Sequence, residues 1–152
     1  MRNLSFVVYG AAVPQGSKRA FVNRHTGKAS LVEQAGSKLR NWQGDVKYAA
    51  IEALGGGGWE LLRTPMWLSV EFTFPRPKSH TVGGKGKVLK ADVPIGVTKR
   101  PDLDKLVRGV CDALTGVVWD DDQQITRISA SKVYCDLLQA PCATIHVTEV
   151  EQ

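Results

Sequence analysis

The chain has 152 residues, of which 43% are hydrophobic and 23% charged, and it carries a formal net charge of +5. That length and composition suit a single domain spanning 1–152 and exclude disorder as the main state. The basic balance favours an anionic partner such as nucleic acid. No stretch of about 18 apolar residues is available to span a membrane. The N-terminus lacks a secretory n-region and cleavage site. Cys111, Cys135 and Cys142 form no CxxC pair, which argues against a disulfide scaffold or a cysteine zinc site and fits a reducing, cytoplasmic setting.

Taken in chain order, residues 4–9 (LSFVVY) are β-branched and aromatic and predict a strand. Gly10, Pro14, Gly16 and Gly27 punctuate the next stretch as loop or hairpin. From Ser37 to Leu54, apolar residues recur at three- and four-residue steps through Leu39, Trp42, Val46, Ala49, Ala50 and Ala53, which predicts a helix. Four glycines, Gly55–Gly58, end it. Residues 66–74 (MWLSVEFTF) alternate and form the clearest strand. Leu68, Val70, Phe72 and Phe74 fall on one face, and Trp67, Ser69, Glu71 and Thr73 on the other.

Residues 76–100 differ in kind. They carry Arg76, Lys78, Lys85, Lys87, Lys90, Lys99 and Arg100 against a single acid, Asp92, and are rich in glycine and proline. They are expected to form a long, mobile basic loop of the sort that is usually functional or disordered. A helix is expected from Pro101 or Asp102 to Leu114, with Leu103, Leu106, Val107, Val110 and Leu114 on its buried side. An acidic turn at 120–122 and strands over 125–135 and 143–149 complete the chain. The order predicts an α+β fold of two layers, with helices packed on one face of a mixed β-sheet.

Asp102, Asp104, Asp112, Asp120, Asp121 and Asp122 lie within one short stretch, opposed only by Lys105 and Arg108. Clustered carboxylates repel one another, and a divalent cation is the simplest compensation. Mg²⁺ prefers oxygen ligands and retains waters, so two or three carboxylates suffice. Asp102 and Asp104 are expected to straddle the junction where extended chain becomes helix, and either could cap that helix. The intervening helix is only about 15 Å long, so a turn can return the second acid cluster to the first. Taken singly, each cluster reads as a helix cap or a solvated turn. Together with the basic loop they point to phosphodiester hydrolysis, in which a metal activates water and cations hold the phosphates.

The run RPDLDKLVRGVCDAL from Arg100, followed by WDDDQQI from Trp119, resembles the core motif of the RusA family of Holliday-junction resolvases, an RxDxDNL run, a DAL or DGL step and a DDxQ turn. The segment GAAVPQGSKR from Gly10 resembles the family's opening strand and Gly/Pro-rich basic turn. Strong similarity covers about residues 100–128, and weak similarity covers most of the chain. The resemblance implies a homodimeric, Mg²⁺- or Mn²⁺-dependent endodeoxyribonuclease that cuts four-way DNA junctions by paired symmetric nicks. It has no small-molecule cofactor, and many members are encoded by phages or prophages. It further implies Asp102, Asp104 and Asp122 as metal-binding and catalytic carboxylates, with Asp121 as a neighbouring acidic ligand position.

A catalytically important lysine of the family falls on Arg108, which keeps the charge but not the ability to lose a proton. Arg108 is therefore assigned to phosphate or transition-state contact. Lys105 stands where the family usually has Asn, and its ammonium either weakens metal binding or contacts a phosphate. Arg76, Lys78, Lys85, Lys87, Lys90, Lys99 and Arg100, with Lys18 and Arg19 in the early turn, are the candidate DNA-backbone contacts. Trp59, Trp67 and Trp119 are candidate dimer-interface residues. The alternative is a catalytically inactive branched-DNA-binding protein of the same fold. A sugar-nucleotide transferase using DxD is disfavoured by the absence of a nucleotide-binding βαβ pattern.

Overall fold

The computed structural model describes residues 1–16, 18–33, 36–83 and 88–151. In chain order the elements are β1 (Asn3–Tyr9), a hairpin of β2 (Lys18–Val22) and β3 (Ala29–Glu33), α1 (Gly36–Ala53) and β4 (Met66–Phe74). They continue with β5 (Thr81–Val82), β6 (Val88–Leu89), α2 (Leu103–Leu114), β7 (Ile125–Tyr134) and β8 (Cys142–Glu149). The main sheet has the order β1-β8-β4-β7. It is mixed, because β4 runs parallel to β7 and antiparallel to β8, which in turn runs antiparallel to β1.

Alternation decides which face of that sheet is covered. Leu4, Phe6 and Val8 of β1, Met66, Leu68, Val70 and Phe72 of β4, and Ala143, Ile145 and Val147 of β8 are buried. They join Trp42, Val46 and Ala50 of α1 and Leu106, Val107, Val110 and Leu114 of α2 in one core. Each Val, Leu, Ile, Phe or Met side chain among them contributes about 1.5–3 kcal/mol when fully buried. Both helices therefore lie on one side, and the α+β two-layer architecture stands as expected. The other face bears polar rows set by register, such as Ser5, His146, Ser69 and Ser129. Within that row Ser5 Oγ and His146 Nδ1 are 2.7 Å apart.

Three details depart from the sequence reading. Thr73, expected on the polar face, is buried. Its hydroxyl donates to the Cys142 carbonyl (3.1 Å) and accepts from the Cys142 amide (2.9 Å), which satisfies it away from water. Lys18 and Arg19 lie on β2, paired with Glu33 and Val32, and not in a turn. The described parts of 76–100 are also more tied down than a loop without anchors. A one-turn 3₁₀ helix, Lys78–His80, precedes the β5–β6 pair. Gly96 bridges to Val133 on the edge of β7, with Val97 N–H donating to the Lys132 carbonyl (3.1 Å) and Tyr134 N–H to the Ile95 carbonyl (2.8 Å). An edge strand has unused backbone donors and acceptors, and this segment takes them up. Lys85 and Lys87 lie outside the described residues. No helix among the described residues is long and apolar enough to cross a membrane.

Candidate active site

The acidic stretch is organised around α2. Asp102 occupies the N-cap position with extended backbone (φ −71°, ψ 136°), and its carbonyl accepts from Leu106 N–H at 3.2 Å. Its side chain makes no capping hydrogen bond and instead pairs with Lys105 Nζ at 3.3 Å. The expected junction of extended chain and helix thus falls between Asp102 and Asp104. Asp104 sits in the first helical turn, where a negative charge faces the positive end of the helix dipole. Arg108 is one turn later on the same helical face.

The N-terminal loop packs across this helix. Gln15 N–H donates to the Lys105 carbonyl (3.0 Å), and Gln43 Nε2 donates to the Gly109 carbonyl (3.3 Å). Gly109 lies under this loop, where a Cβ would come into ordinary van der Waals contact, 3.4 Å, with the Val13 carbonyl oxygen.

The second acid cluster returns through Trp119. This residue is fully buried, and the bridge of Leu62 to Trp119 and the hydrogen bond from Leu62 N–H to the Val118 carbonyl (3.0 Å) hold its backbone. Its indole N–H points between Asp122 Oδ1 (2.8 Å) and Thr115 Oγ1 (3.1 Å). The Thr115 hydroxyl also donates to Asp122 Oδ1. Bonds to an ionised acceptor of this kind are the stronger class. They fix one oxygen of Asp122, and among the described residues Oδ2 takes no hydrogen bond.

Asp121 caps the turn that follows it. Its carboxylate accepts from Gln123 N–H (2.9 Å), and Gln124 Oε1 accepts from Asp121 N–H (2.8 Å), so the pair forms a capping box on the turn Asp122–Gln124. The Gln123 bond holds the Asp121 carboxyl below the usual carboxylate range. Asp120 pairs loosely with Arg63 (3.5 Å) at the surface.

Asp104, Arg108 and Asp122 line one groove of about 730 Å³ between α2 and β7, whose floor includes Leu103, Val107, Cys111, Ile125, Ile128 and Ala130. Ile128 is 51% exposed there. The Cys111 thiol is pushed up to about 12, first by burial and then by the Asp122 and Asp112 carboxylates, so it stays protonated and is no nucleophile. Among the described residues no three His, Cys, Asp or Glu side chains stand together closely enough to hold a metal ion. Asp102, Asp104 and Asp122 are therefore not gathered into one preformed cluster within the chain. Asp104 and Asp122 share the groove, while Asp102 is engaged by Lys105.

A family model described as endodeoxyribonuclease RusA matches residues 11–146. The chain belongs to the RusA family. The match embraces both acid clusters, the groove between them and the N-terminal loop that packs on α2. A protein of Bacillus subtilis (strain 168), named only as uncharacterized protein YqaN, is 30% identical over 133 residues, covering 88% of this chain and 89% of its own length.

The cationic positions fall into two groups. Lys78, Lys90, Lys99 and Arg100 are exposed, as is Arg108. Arg76 is instead a clamp. Its Nε donates to the Cys135 carbonyl (3.0 Å) and its Nη1 to the Pro94 carbonyl (2.9 Å), and its guanidinium lies 5.5 Å from the centroid of the Tyr134 ring. Of the three tryptophans named as interface candidates, Trp119 is core. Trp59 donates to the Val118 carbonyl (3.1 Å), and Trp67 stacks under Arg127 (4.2 Å). Sequence reasoning missed Thr115 and Trp119 as residues that orient a carboxylate. Thr115 reads only as a helix terminator, and the adjacency of Trp119 to DDD was the one available signal.

Proposed function

We propose that this RusA-family protein is a divalent-metal-dependent endodeoxyribonuclease that acts as a homodimer and resolves four-way DNA junctions by paired, symmetric phosphodiester hydrolysis. The observation that carries the reading is the convergence of Asp104, Asp122 and Arg108 on one groove. Two carboxylates fit Mg²⁺, which keeps several waters and needs few protein ligands, and Mn²⁺ serves in its place. When bound, the ion would supply an activated water and charge neutralisation at the phosphate. Asp104 and Asp122 would hold it, with Asp122 aimed by Thr115 and Trp119. Asp102 would join them once released from Lys105. Arg108 makes no ion pair among the described residues, so its guanidinium is available to a phosphate oxygen, where its planar fork suits bidentate contact. Lys78, Lys90, Lys99 and Arg100 would hold the backbone without reading bases. A two-fold dimer supplies two such sites for two symmetric cuts.

The second reading, a branched-DNA-binding protein without activity, draws on the lack of a preformed three-carboxylate cluster and on the Asp102–Lys105 pair. A labelled four-way junction and a linear duplex of matching sequence, incubated with Mg²⁺, Mn²⁺ or EDTA, separate the two. Paired nicks confined to the junction and absent in EDTA are expected. Asp104→Asn and Asp122→Asn should each lower cleavage by about 100-fold or more while keeping junction binding. A mobility shift without cleavage under either metal would assign the protein to the binding class.

A further inference from the structure

Lys132 lies on β7 opposite Phe72 of β4, so its side chain rises on the helix-covered face of the sheet. Its ammonium donates to two backbone carbonyls, those of Lys99 (2.9 Å) and Pro101 (2.7 Å). Both belong to the turn that leads directly into Asp102. The Pro101 carbonyl is part of the peptide unit whose amide is that of Asp102, so holding this oxygen sets the plane from which Asp102 departs. Asp102 then starts α2, and Asp104 follows in its first turn. The backbone of Lys132 grips the same segment from the other side, accepting from Val97 N–H at 3.1 Å.

Among the described residues Lys132 makes no ion pair. The ammonium is spent on two backbone carbonyls of one turn and on none of the described carboxylates. An ammonium has three donors in a compact head and can draw two carbonyls to one point. From this geometry we propose that Lys132 is a positioning residue, which holds the 99–101 turn so that the start of α2 presents Asp104 to the groove and sets Asp102 beside it in a metal-competent arrangement. This rests on the metal-dependent reading given under Proposed function.

The test compares Lys132→Met, which keeps length and removes the donors, with Lys132→Arg, which keeps charge and donors. Mn²⁺ binding to the metal-free protein is measured by calorimetry, alongside the Mg²⁺ dependence of junction cleavage and junction binding in EDTA. Lys132→Met is expected to weaken Mn²⁺ binding at least fivefold and to raise the half-saturating Mg²⁺ concentration in parallel. Junction binding in EDTA should fall by less than Mn²⁺ binding does, and Lys132→Arg should recover most of the loss. If circular dichroism shows the Met variant unfolded, Lys132→Gln replaces it, since its shorter amide cannot reach both carbonyls, and the same threshold applies. Unchanged Mn²⁺ binding in the folded variant, with wild type cleaving and Asp104→Asn inactive, overturns the positioning role alone. If Asp104→Asn itself binds Mn²⁺ and cleaves as wild type does, the metal-site reading fails instead.

Discussion

Asp122 takes its orientation from two donors placed seven and three residues before it, Thr115 and Trp119. Its neighbour Asp121 spends its carboxylate on a capping box, so identical side chains one position apart are sorted by backbone geometry. On the other cluster, Asp102 is paired and Asp104 is unpaired among the described residues. Lys105 is thus a local competitor for any cation that approaches Asp102. The pair is half exposed, so it is worth at most about 1 kcal/mol, which corresponds to about fivefold in affinity. Lys105→Asn should therefore lower the half-saturating Mg²⁺ concentration for junction cleavage by up to that factor, with the fold intact. A rise in the Mg²⁺ requirement would indicate that Lys105 instead assists the substrate phosphate.

At the scale of elements, α2 is the piece on which the site depends. It presents Asp104 and Arg108 outward while Leu106, Val110 and Leu114 are fully buried beneath. Its start is set by the turn that Lys132 holds, and its far end by Thr115, whose amide donates to the Cys111 carbonyl at 3.0 Å. Leu114→Ala should lower unfolding stability by about 2–5 kcal/mol, the range for a truncated core leucine. Urea denaturation measures this, with Leu138→Ala as the control. Leu138 is 102% exposed, and its truncation should shift stability by no more than about 0.5 kcal/mol. Equal effects at the two positions would mean that α2 is not part of the cooperative core.

At the scale of the molecule, the chain ends meet across the sheet. Glu149 on β8 accepts from the Thr64 hydroxyl (2.6 Å), from Arg2 N–H (3.0 Å) and from the Arg2 guanidinium (3.4 Å). The Thr64 bond first, and the Arg2 bonds after it, pull the Glu149 carboxyl down to about 2. Its unfolded value is about 4.3, so the native state favours the ionised form. The stabilisation is complete above that unfolded value and is lost as pH falls towards 2. Glu149→Gln should therefore be less stable than wild type at neutral pH, with the gap narrowing from about pH 4 downward. Urea midpoints at pH 7, 4 and 3 check this, and a gap that stays constant to pH 3 would count against it. Activity should also fall in acid, because metal ligands must be deprotonated.

Much of this protein was legible before any fold was known. Alternation in 66–74 and the three- and four-residue steps in 37–54 and 103–114 depend on local geometry, so β4, α1 and α2 follow from residue order alone. The acid and base runs, and the family they belong to, are likewise written in consecutive residues. What sequence could not supply was pairing across distance. Only the tertiary structure sets Trp119 and Thr115 on Asp122, turns Arg76 into a clamp on Cys135 and Pro94, brings Thr73 to Cys142, and carries Lys132 from β7 to the turn before Asp102. A hydrogen bond requires a donor and an acceptor at about 3 Å, and chain order carries no such distance for residues joined only by the sheet.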